Sequence, residues 1–230
     1  DSKEIKRVKE LGLQMKEYNE LLGDLSKMFE TIAVSGTHGK TSTSSMIKHI
    51  LTNSIGCNYF IGAGDGYAAK ENDYFVVESD EFNRHFTAYH PKYSIITNIE
   101  EEHMECYKDI DDIRNSFEIF ANQTSKLVIA NGDNKEVKKI NYKTDVLFYG
   151  FNDDNDIVIK DLLLDSDSSK FSVVFKGEDL GKFEIPLFGK HMVMNSVAAI
   201  GICHHIGIDM DIIRKALSSF KNAKKRFEIT

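Results

Sequence analysis

Apolar runs alternate with amphipathic stretches along the first part of the chain, and the alternation predicts its elements. The runs Thr31–Val34, Tyr74–Val77, Tyr93–Thr97 and Leu127–Ala130 are short, apolar and mostly β-branched or aromatic, which indicates buried strands. Amphipathic stretches between them, such as Ile110–Asn122, predict helices. Continuous apolar strands separated by helices are typical of a parallel sheet covered on both faces.

The pattern changes over residues 145–188, where short apolar runs are joined by links rich in Asp, Asn, Ser and Gly. This stretch predicts a small antiparallel β extension. Its expected strands are Val146–Tyr149, Ile157–Ile159, Phe171–Phe175 and Phe183–Leu187. Two helices are expected after it, at about 190–206 and 209–220. The fold class predicted is α/β, with a mainly parallel sheet flanked by helices and a small antiparallel β extension.

Two further stretches receive local predictions. Residues 1–30 predict a helix, a short strand at Leu13–Met15 and a second helix, a unit too small to bury its own apolar faces. The glycine-rich segment 60–66 lacks the G-x-G-x-x-G spacing of a dinucleotide site, so we expect a loop there.

A glycine-rich loop follows the first strand and leads into a predicted helix. Its residues, Gly36-Thr-His-Gly-Lys-Thr41, form a shorter variant of the phosphate-binding P-loop, with Val34 where the common form has its first glycine. Glycines let backbone N–H groups turn toward phosphate oxygens, and the helix N-terminus adds partial positive charge. Lys40 adds a full charge, and the Thr41 hydroxyl can bind Mg²⁺.

Composition narrows the possible function classes. The 230 residues carry a formal net charge of −7, which argues against a nucleic-acid surface. The three cysteines have no paired spacing, which favours a reducing compartment without disulfides. No run approaches the ~20 apolar residues of a membrane span. We therefore expect a soluble cytoplasmic protein.

Glu78 and His103 each follow a predicted strand. Ligands of parallel sheets lie beyond the carboxyl ends of the strands, so both side chains are expected near the loop, where a carboxylate and an imidazole can reach a metal. Mg²⁺ prefers oxygen ligands, which leaves open that His103 only caps a helix or lies in a loop.

Five motifs together resemble the Mur ligase family and run over nearly the whole chain. They are Thr31–Thr43, Glu78–Glu81, Thr97–His103 with the pattern Thr-Asn-Ile-Glu-x-x-His, Gly189–Asn195 and Lys225–Phe227. Within the family they look most like the L-alanine-adding members, and Phe82–Phe86 is similar to the form found in Gram-positive-type bacteria.

The resemblance implies a three-domain enzyme of which this chain contains the middle. Residues 1–30 then correspond to the tail of an N-terminal domain that binds the UDP-linked substrate. Residues 31–222 correspond to the central ATP-binding domain, and residues 223–230 to a hinge at the start of a C-terminal domain. On this basis we expect the 230-residue chain to be inactive as a ligase by itself.

The implied reaction joins L-alanine to the carboxylate of UDP-N-acetylmuramate through an acyl phosphate, in peptidoglycan precursor synthesis, with ATP and Mg²⁺ as cofactors. The implied catalytic residues are Lys40, Glu78 and His103. The implied nucleotide contacts are Gly36, Thr37, Gly39, Lys40, Thr41, Ser42, His191, Asn195 and Arg226. The implied metal ligands are Thr41, Glu78 and His103, and the residues implied to face the muramyl substrate are His38, Thr97 and Asn98.

Alternatives remain open at this point. A ligase that recycles muropeptides by joining a tripeptide to UDP-N-acetylmuramate shares the same loop, and folylpolyglutamate-type ligases are more distant candidates. A nucleotide-binding module without catalysis is also possible, although it has no need of Glu78 and His103 together. Oligomeric state is not predicted.

Overall fold

The computed structural model describes residues 2–62 and 64–221, so Arg226 and the proposed hinge at 223–230 lie outside the described residues. The described residues form one sheet of ten strands and seven α-helices. The strands are β1 Glu30–Ser35, β2 Asn58–Ile61, β3 Asp65–Tyr67, β4 Tyr74–Glu78, β5 Tyr93–Ile96, β6 Leu127–Asn131, β7 Val146–Gly150, β8 Ile157–Leu164, β9 Ser169–Phe175 and β10 Glu178–Ile185. The helices are α1 Lys3–Glu10, α2 Tyr18–Met28, α3 Lys40–Thr52, α4 Ile110–Asn122, α5 Lys135–Lys138, α6 Lys190–His205 and α7 Met210–Ser218.

The strand order across the sheet is β10-β9-β8-β7-β6-β5-β1-β4-β2-β3. All neighbours from β2 through β8 pair in parallel, whereas β3 and the β8-β9-β10 meander pair antiparallel. The predicted fold class, a mainly parallel sheet flanked by helices with a small antiparallel extension, is confirmed.

One strand of the predicted antiparallel extension belongs to the parallel part instead. Strand β7, predicted as Val146–Tyr149, pairs in parallel with both β6 and β8. The chain crosses from β6 to β7 through α5, which has only four residues. A helix this short carries too little 3.6-residue periodicity to be recognised, so the crossover connection was missed.

Two other local predictions were also wrong. Residues 60–66 were expected to be a loop but belong to the hairpin β2–β3, because β2 pairs with β4, a separate strand later in the chain. Residues Leu13–Met15 were expected to be a strand but form none, and the side chains of Leu13 and Met15 are exposed. In both cases the presence or absence of a pairing partner decided the outcome.

The sheet separates two hydrophobic cores. One face packs against α3, α6 and α7, and the other against α2, α4 and α5. Along β1, Ile32 and Val34 face the first core, while Ala33 faces the second, as expected for alternating side chains of a strand buried on both sides. All three residues are fully buried. The strand that carries the loop is therefore held rigidly from both faces.

The segment before β1 is attached to the second core through α2. Leu22 is buried there, the backbone N–H of His90 donates to the Ser26 hydroxyl at 2.8 Å, and the rings of Phe29 and Phe75 lie 5.9 Å apart. Helix α1 has no buried residues. The assignment of residues 1–30 to a preceding domain stays a prediction.

The helices of the described residues are all too short or too polar to cross a lipid bilayer.

The three cysteines should differ sharply in reactivity. Cys57 and Cys203 are buried, and burial raises the pKa of the Cys57 thiol to about 11 and also raises the pKa of Cys203. Cys106 is only half-buried. Because the thiolate is the reactive form, we expect a disulfide-exchange reagent at pH 8 to modify Cys106 rapidly in the folded protein. All three thiols should react after unfolding in guanidinium. Rapid reaction that persists in a Cys106→Ser variant would contradict this core packing.

Candidate active site

The loop between β1 and α3 approaches the end of β5 too closely for any side chain at Gly36. A Cβ there would lie 2.0 Å from the Thr97 hydroxyl oxygen and 3.0 Å from the Asn98 backbone nitrogen, and the φ of Gly36 is +140°. Gly39, with φ of +87°, occupies the position before the first residue of α3. Both glycines are therefore required by backbone geometry, as the loop prediction assumed.

Thr97 and Asn98 hold this loop in shape. The Thr97 hydroxyl donates to the carbonyl of His38 at 2.5 Å, and the side-chain oxygen of Asn98 accepts from the backbone N–H of His38 at 2.8 Å. The backbone carbonyl of Asn98 accepts from the N–H of Thr37 at 3.1 Å. The Thr37 hydroxyl in turn accepts from the N–H of Glu100 at 3.0 Å. Thr97 and Asn98 thus have a structural role here, and their contact with a muramyl substrate stays a prediction.

These bonds also decide which amides are available to a ligand. The N–H groups of Thr37 and His38 are taken by Asn98. Helix α3 begins at Lys40, and the first amides of a helix have no acceptor within it. The amides of Lys40, Thr41 and Ser42 therefore point, with the helix dipole, toward the mouth of the loop, where an anion is stabilised.

Thr41 and Glu78 meet as the sequence predicted. The Thr41 hydroxyl donates to Oε1 of Glu78 at 2.9 Å. The second carboxylate oxygen of Glu78 accepts from the N–H of Gly62 at 2.8 Å, so the unpredicted β2–β3 hairpin orients the acid. Glu78 lies level with Val34 in the parallel register of β1 and β4, which places it beside the loop. A hydroxyl and a carboxylate in contact are a suitable pair of oxygen ligands for Mg²⁺.

Glu81 is an important site residue that the sequence reasoning did not single out. Its carboxylate accepts from the Lys40 ammonium at 2.9 and 2.8 Å, and its side chain is only 3% exposed. Burial raises the pKa of Glu81, and Lys40 opposes that rise. The acidic run Glu78–Glu81 was visible in the sequence, but a run of acids does not reveal which member turns inward.

His103 lies beside Glu81. Its Nε2 is 3.6 Å from Oε1 of Glu81, and its ring contacts the ring of Phe82 at a centroid distance of 5.3 Å. The ligand atoms of Glu81, Glu102 and His103 all lie within 4.8 Å of one another, close enough for one cation to bind all three. Glu102 is exposed. The pairing of His103 with Glu81 was not predicted.

The remaining predicted residues line a cleft of about 350 Å³ next to the loop. The predicted residues in its wall are His38, Gly39, Ser42, Thr97, Asn98, His191 and Asn195. Asn195 is 8% exposed, and a Cβ added to Gly39 would lie 2.5 Å from its side-chain oxygen. The cleft also includes Asn131 and Tyr149, which the sequence analysis did not single out, although their places at the carboxyl ends of β6 and β7 were the signal that could have found them.

A protein-family model matches most of the sequence that forms this fold. The model of a family described as the Mur ligase middle domain matches residues 34–203, well over half of the chain.

Curated relatives share this similarity over nearly the full chain. The UDP-N-acetylmuramate–L-alanine ligase of Lactiplantibacillus plantarum is 41% identical over 227 residues, which cover 99% of this chain and 52% of that protein. The chain therefore spans about half the length of the curated relatives it matches.

Solved structures agree in fold. A UDP-N-acetylmuramate:L-alanyl-γ-D-glutamyl-meso-diaminopimelate ligase from Neisseria meningitidis gives a TM-score of 0.83 at 23% identity, covering 96% of this chain and 75% of that one. A UDP-N-acetylmuramate–alanine ligase from Thermotoga maritima gives a TM-score of 0.81 at 24% identity, covering 94% and 51%. At these identities the likeness supports the shared fold alone.

Replacing Gly36 should destabilise the protein more than replacing a glycine that has a positive φ but open space around it. Gly36→Ala forces a clash with Thr97 in addition to backbone strain, so we expect the free energy of unfolding to fall by about 3 kcal/mol or more. Gly177→Ala is the matched control, because Gly177 has φ of +86° and open space around it. Its loss should be about 1 kcal/mol. Equal losses in urea denaturation would contradict the close approach.

Removing Lys40 should destabilise the protein through Glu81. Lys40→Ala leaves a buried carboxylate without its cation, and we expect a loss of roughly 3 kcal/mol in the free energy of unfolding near neutral pH. The double variant Lys40→Ala/Glu81→Gln should recover most of that loss, as measured by urea denaturation. If both variants were equally unstable, the ion pair would not be the cause.

The same variant should respond to pH. Without Lys40 the pKa of Glu81 rises further in the folded state, because the residue that opposed the rise is gone. A folded-state pKa above the unfolded value destabilises the fold as pH rises past the ordinary glutamate range of about 4.3. The stability loss of Lys40→Ala should therefore be smaller at pH 5 than at pH 8, and a loss that does not depend on pH would count against this assignment.

Proposed function

This chain belongs to the Mur ligase family, and from that premise we propose that it is the central ATP-binding domain, with flanking segments, of a ligase that joins L-alanine to UDP-N-acetylmuramate. The observation that carries the proposal is the contact between Thr41 and Glu78 beside Lys40, with Glu81 and His103 adjoining. The choice of L-alanine rests on the 41% identity to a relative of that name. The match to about half of that relative supports a middle-domain assignment for residues 31–222, flanked by the other two domains.

ATP binding is proposed at the loop and the adjacent cleft. The amides of Lys40, Thr41 and Ser42 and the Lys40 ammonium would bind the phosphates. His191 and Asn195, at the start of α6, line the cleft on the same side and would contact the nucleoside. The volume of this cleft, about 350 Å³, is within the usual range for small-molecule sites.

Two cation positions fit the residues present. The first would use Thr41 and Glu78, an all-oxygen pair of the kind that Mg²⁺ prefers. The second would use His103, with Glu81 and Glu102 supplying the oxygens that an imidazole alone lacks. Bound Mg²⁺ would neutralise phosphate charge as the γ-phosphoryl group is transferred.

The proposed reaction activates a carboxylate, which by itself is a poor electrophile because its leaving group would be oxide. Transfer of the γ-phosphoryl group to the muramyl carboxylate gives an acyl phosphate. The amine of L-alanine then attacks the acyl carbon, and phosphate leaves. The protein would contribute position and charge: Lys40 would hold the transferred phosphoryl group, and His38, Thr97 and Asn98, which line the cleft, would face the carboxylate.

The proposed setting is the cytoplasm, where ATP is available. No nucleic-acid partner is proposed, in line with the net charge of −7.

The test uses the complete ligase that we propose to contain this chain. With ATP and UDP-N-acetylmuramate present, ADP release should depend on L-alanine and not on the other amino acids. His103→Ala should lower kcat by about 100-fold or more, because transition-state charge loses its stabilisation. Glu101→Gln removes an exposed charge from the same loop and is the control expected to keep the wild-type rate. The 230-residue chain alone should release no alanine-dependent ADP.

Other results would redirect the assignment. ADP release that depends on the L-Ala-γ-D-Glu-diaminopimelate tripeptide would indicate the muropeptide-recycling reaction. Nucleotide binding without any amino-acid-dependent turnover by the complete protein would indicate a non-catalytic nucleotide-binding module. Full activity of His103→Ala would remove His103 from the site.

A further inference from the structure

The lysine of the phosphate loop is engaged by the protein itself. The Lys40 ammonium donates to the carbonyl of Gly36 at 2.7 Å and to both carboxylate oxygens of Glu81. Its side chain is only 15% exposed. An ammonium group has three donor hydrogens, and these contacts occupy them. Lys40 therefore has to release a partner before it can bind a phosphate.

One carboxylate oxygen of Glu81, Oε1, faces both Lys40 and His103. Oε1 accepts from Lys40 at 2.9 Å and lies 3.6 Å from Nε2 of His103. The same side chain belongs to the set with Glu102 and His103 whose ligand atoms lie within 4.8 Å of one another. A divalent cation bound to that set would repel the Lys40 ammonium. The Lys40 ammonium and a divalent cation would therefore compete for the buried carboxylate of Glu81.

The backbone around Glu81 is firmly braced, so Lys40 is the part able to move. The carbonyl of Glu81 accepts from the Tyr107 hydroxyl and from the N–H of Arg84. The Arg84 guanidinium donates to both oxygens of Asp112 at 2.8 and 2.7 Å and to the carbonyl of Cys106 at 3.3 Å, within the loop that carries His103. Glu81 and His103 are thus held in fixed relation to each other.

We propose that Glu81 exchanges partners when nucleotide binds: in the unliganded protein it holds Lys40 away from the phosphate position, and after Lys40 moves to the phosphates it binds a divalent cation together with His103 and Glu102. This inference rests on the proposed function, in that the loop is taken to bind ATP.

The exchange couples cation and nucleotide. Nucleotide that draws Lys40 away leaves Glu81 as a buried anion without a partner, which is costly. A divalent cation at the Glu81–Glu102–His103 set restores the balance of charge. Each ligand therefore favours the other, and the coupling is reciprocal. Metal-free ATP has to compete with Glu81 for Lys40 and binds weakly for that reason.

The test measures ATP affinity of the 230-residue chain by calorimetry, in EDTA and again with Mn²⁺. Glu81→Gln removes the competing charge, so metal-free ATP should bind about 5-fold more tightly than to the wild type. It also removes a cation ligand, so the gain in affinity on adding Mn²⁺ should shrink by about 10-fold. Glu101→Gln is the matched control, because it removes the same charge from the neighbouring loop. Glu101 has no hydrogen bond or ion pair among the described residues. The control variant should match the wild type in both conditions.

A second variant keeps the test decisive if Glu81→Gln folds poorly in a thermal melt. Glu102 is exposed, and Glu102→Gln should also reduce the gain from Mn²⁺. Weaker binding of Glu81→Gln in EDTA would overturn the exchange, as would an undiminished gain with Mn²⁺ in both variants. If the wild type bound no ATP both in EDTA and with Mn²⁺, the proposed nucleotide site itself would be overturned. A failure of the exchange alone is distinguishable, because the wild type then still binds ATP.

Discussion

The parallel register of β1 with its two neighbours is the constraint on which the site depends. Val34 pairs with Glu78 on one side, and Ser35 pairs with Ile96 on the other, so the chain leaves all three strands at one level. Cores on both faces prevent β1 from sliding, since a shift of one residue would exchange Ile32 and Ala33 between the faces. The phosphate loop, the acidic run Glu78–Glu81 and the segment Thr97–His103 lie close together because they follow the neighbouring strands β1, β4 and β5.

The two acids near the loop show how environment separates chemically identical groups. Glu78 is partly exposed, and its oxygens are held by a hydroxyl and a backbone amide, both of which leave its charge available. Glu81 is buried against Lys40, so its charge is stable only while a positive partner is present. Glu78 is open to a ligand, whereas Glu81 is paired with the Lys40 ammonium. That difference makes a single ion pair the link between phosphate binding and cation binding.

Thr97 and Asn98 fix the shape of the loop between β1 and α3. Their side chains bond to the backbone of His38 from the end of β5 and so fix the loop before any ligand arrives. A loop shaped in this way loses little conformational entropy on binding phosphates. The side chain and the backbone carbonyl of Asn98 occupy the N–H groups of His38 and Thr37, which leaves the first turn of α3 to bind an anion. Within the segment 36–42, Thr37 and His38 therefore fix the shape of the loop, while the amides at the start of α3 stay available to an anion.

The sequence alone determined the strands at Thr31–Val34, Tyr74–Val77, Tyr93–Thr97 and Leu127–Ala130, the glycine loop before α3 and the family, since apolar periodicity and local motifs are properties of neighbouring residues. It also placed Thr41 with Glu78, because parallel strands end at a common edge. Tertiary structure decided the rest. The direction of β7 and the existence of β2 depended on pairing with other strands of the sheet. Which acid turns inward to meet Lys40 and His103 depended on packing around Glu81, and no local pattern records that, because burial is set by the whole fold.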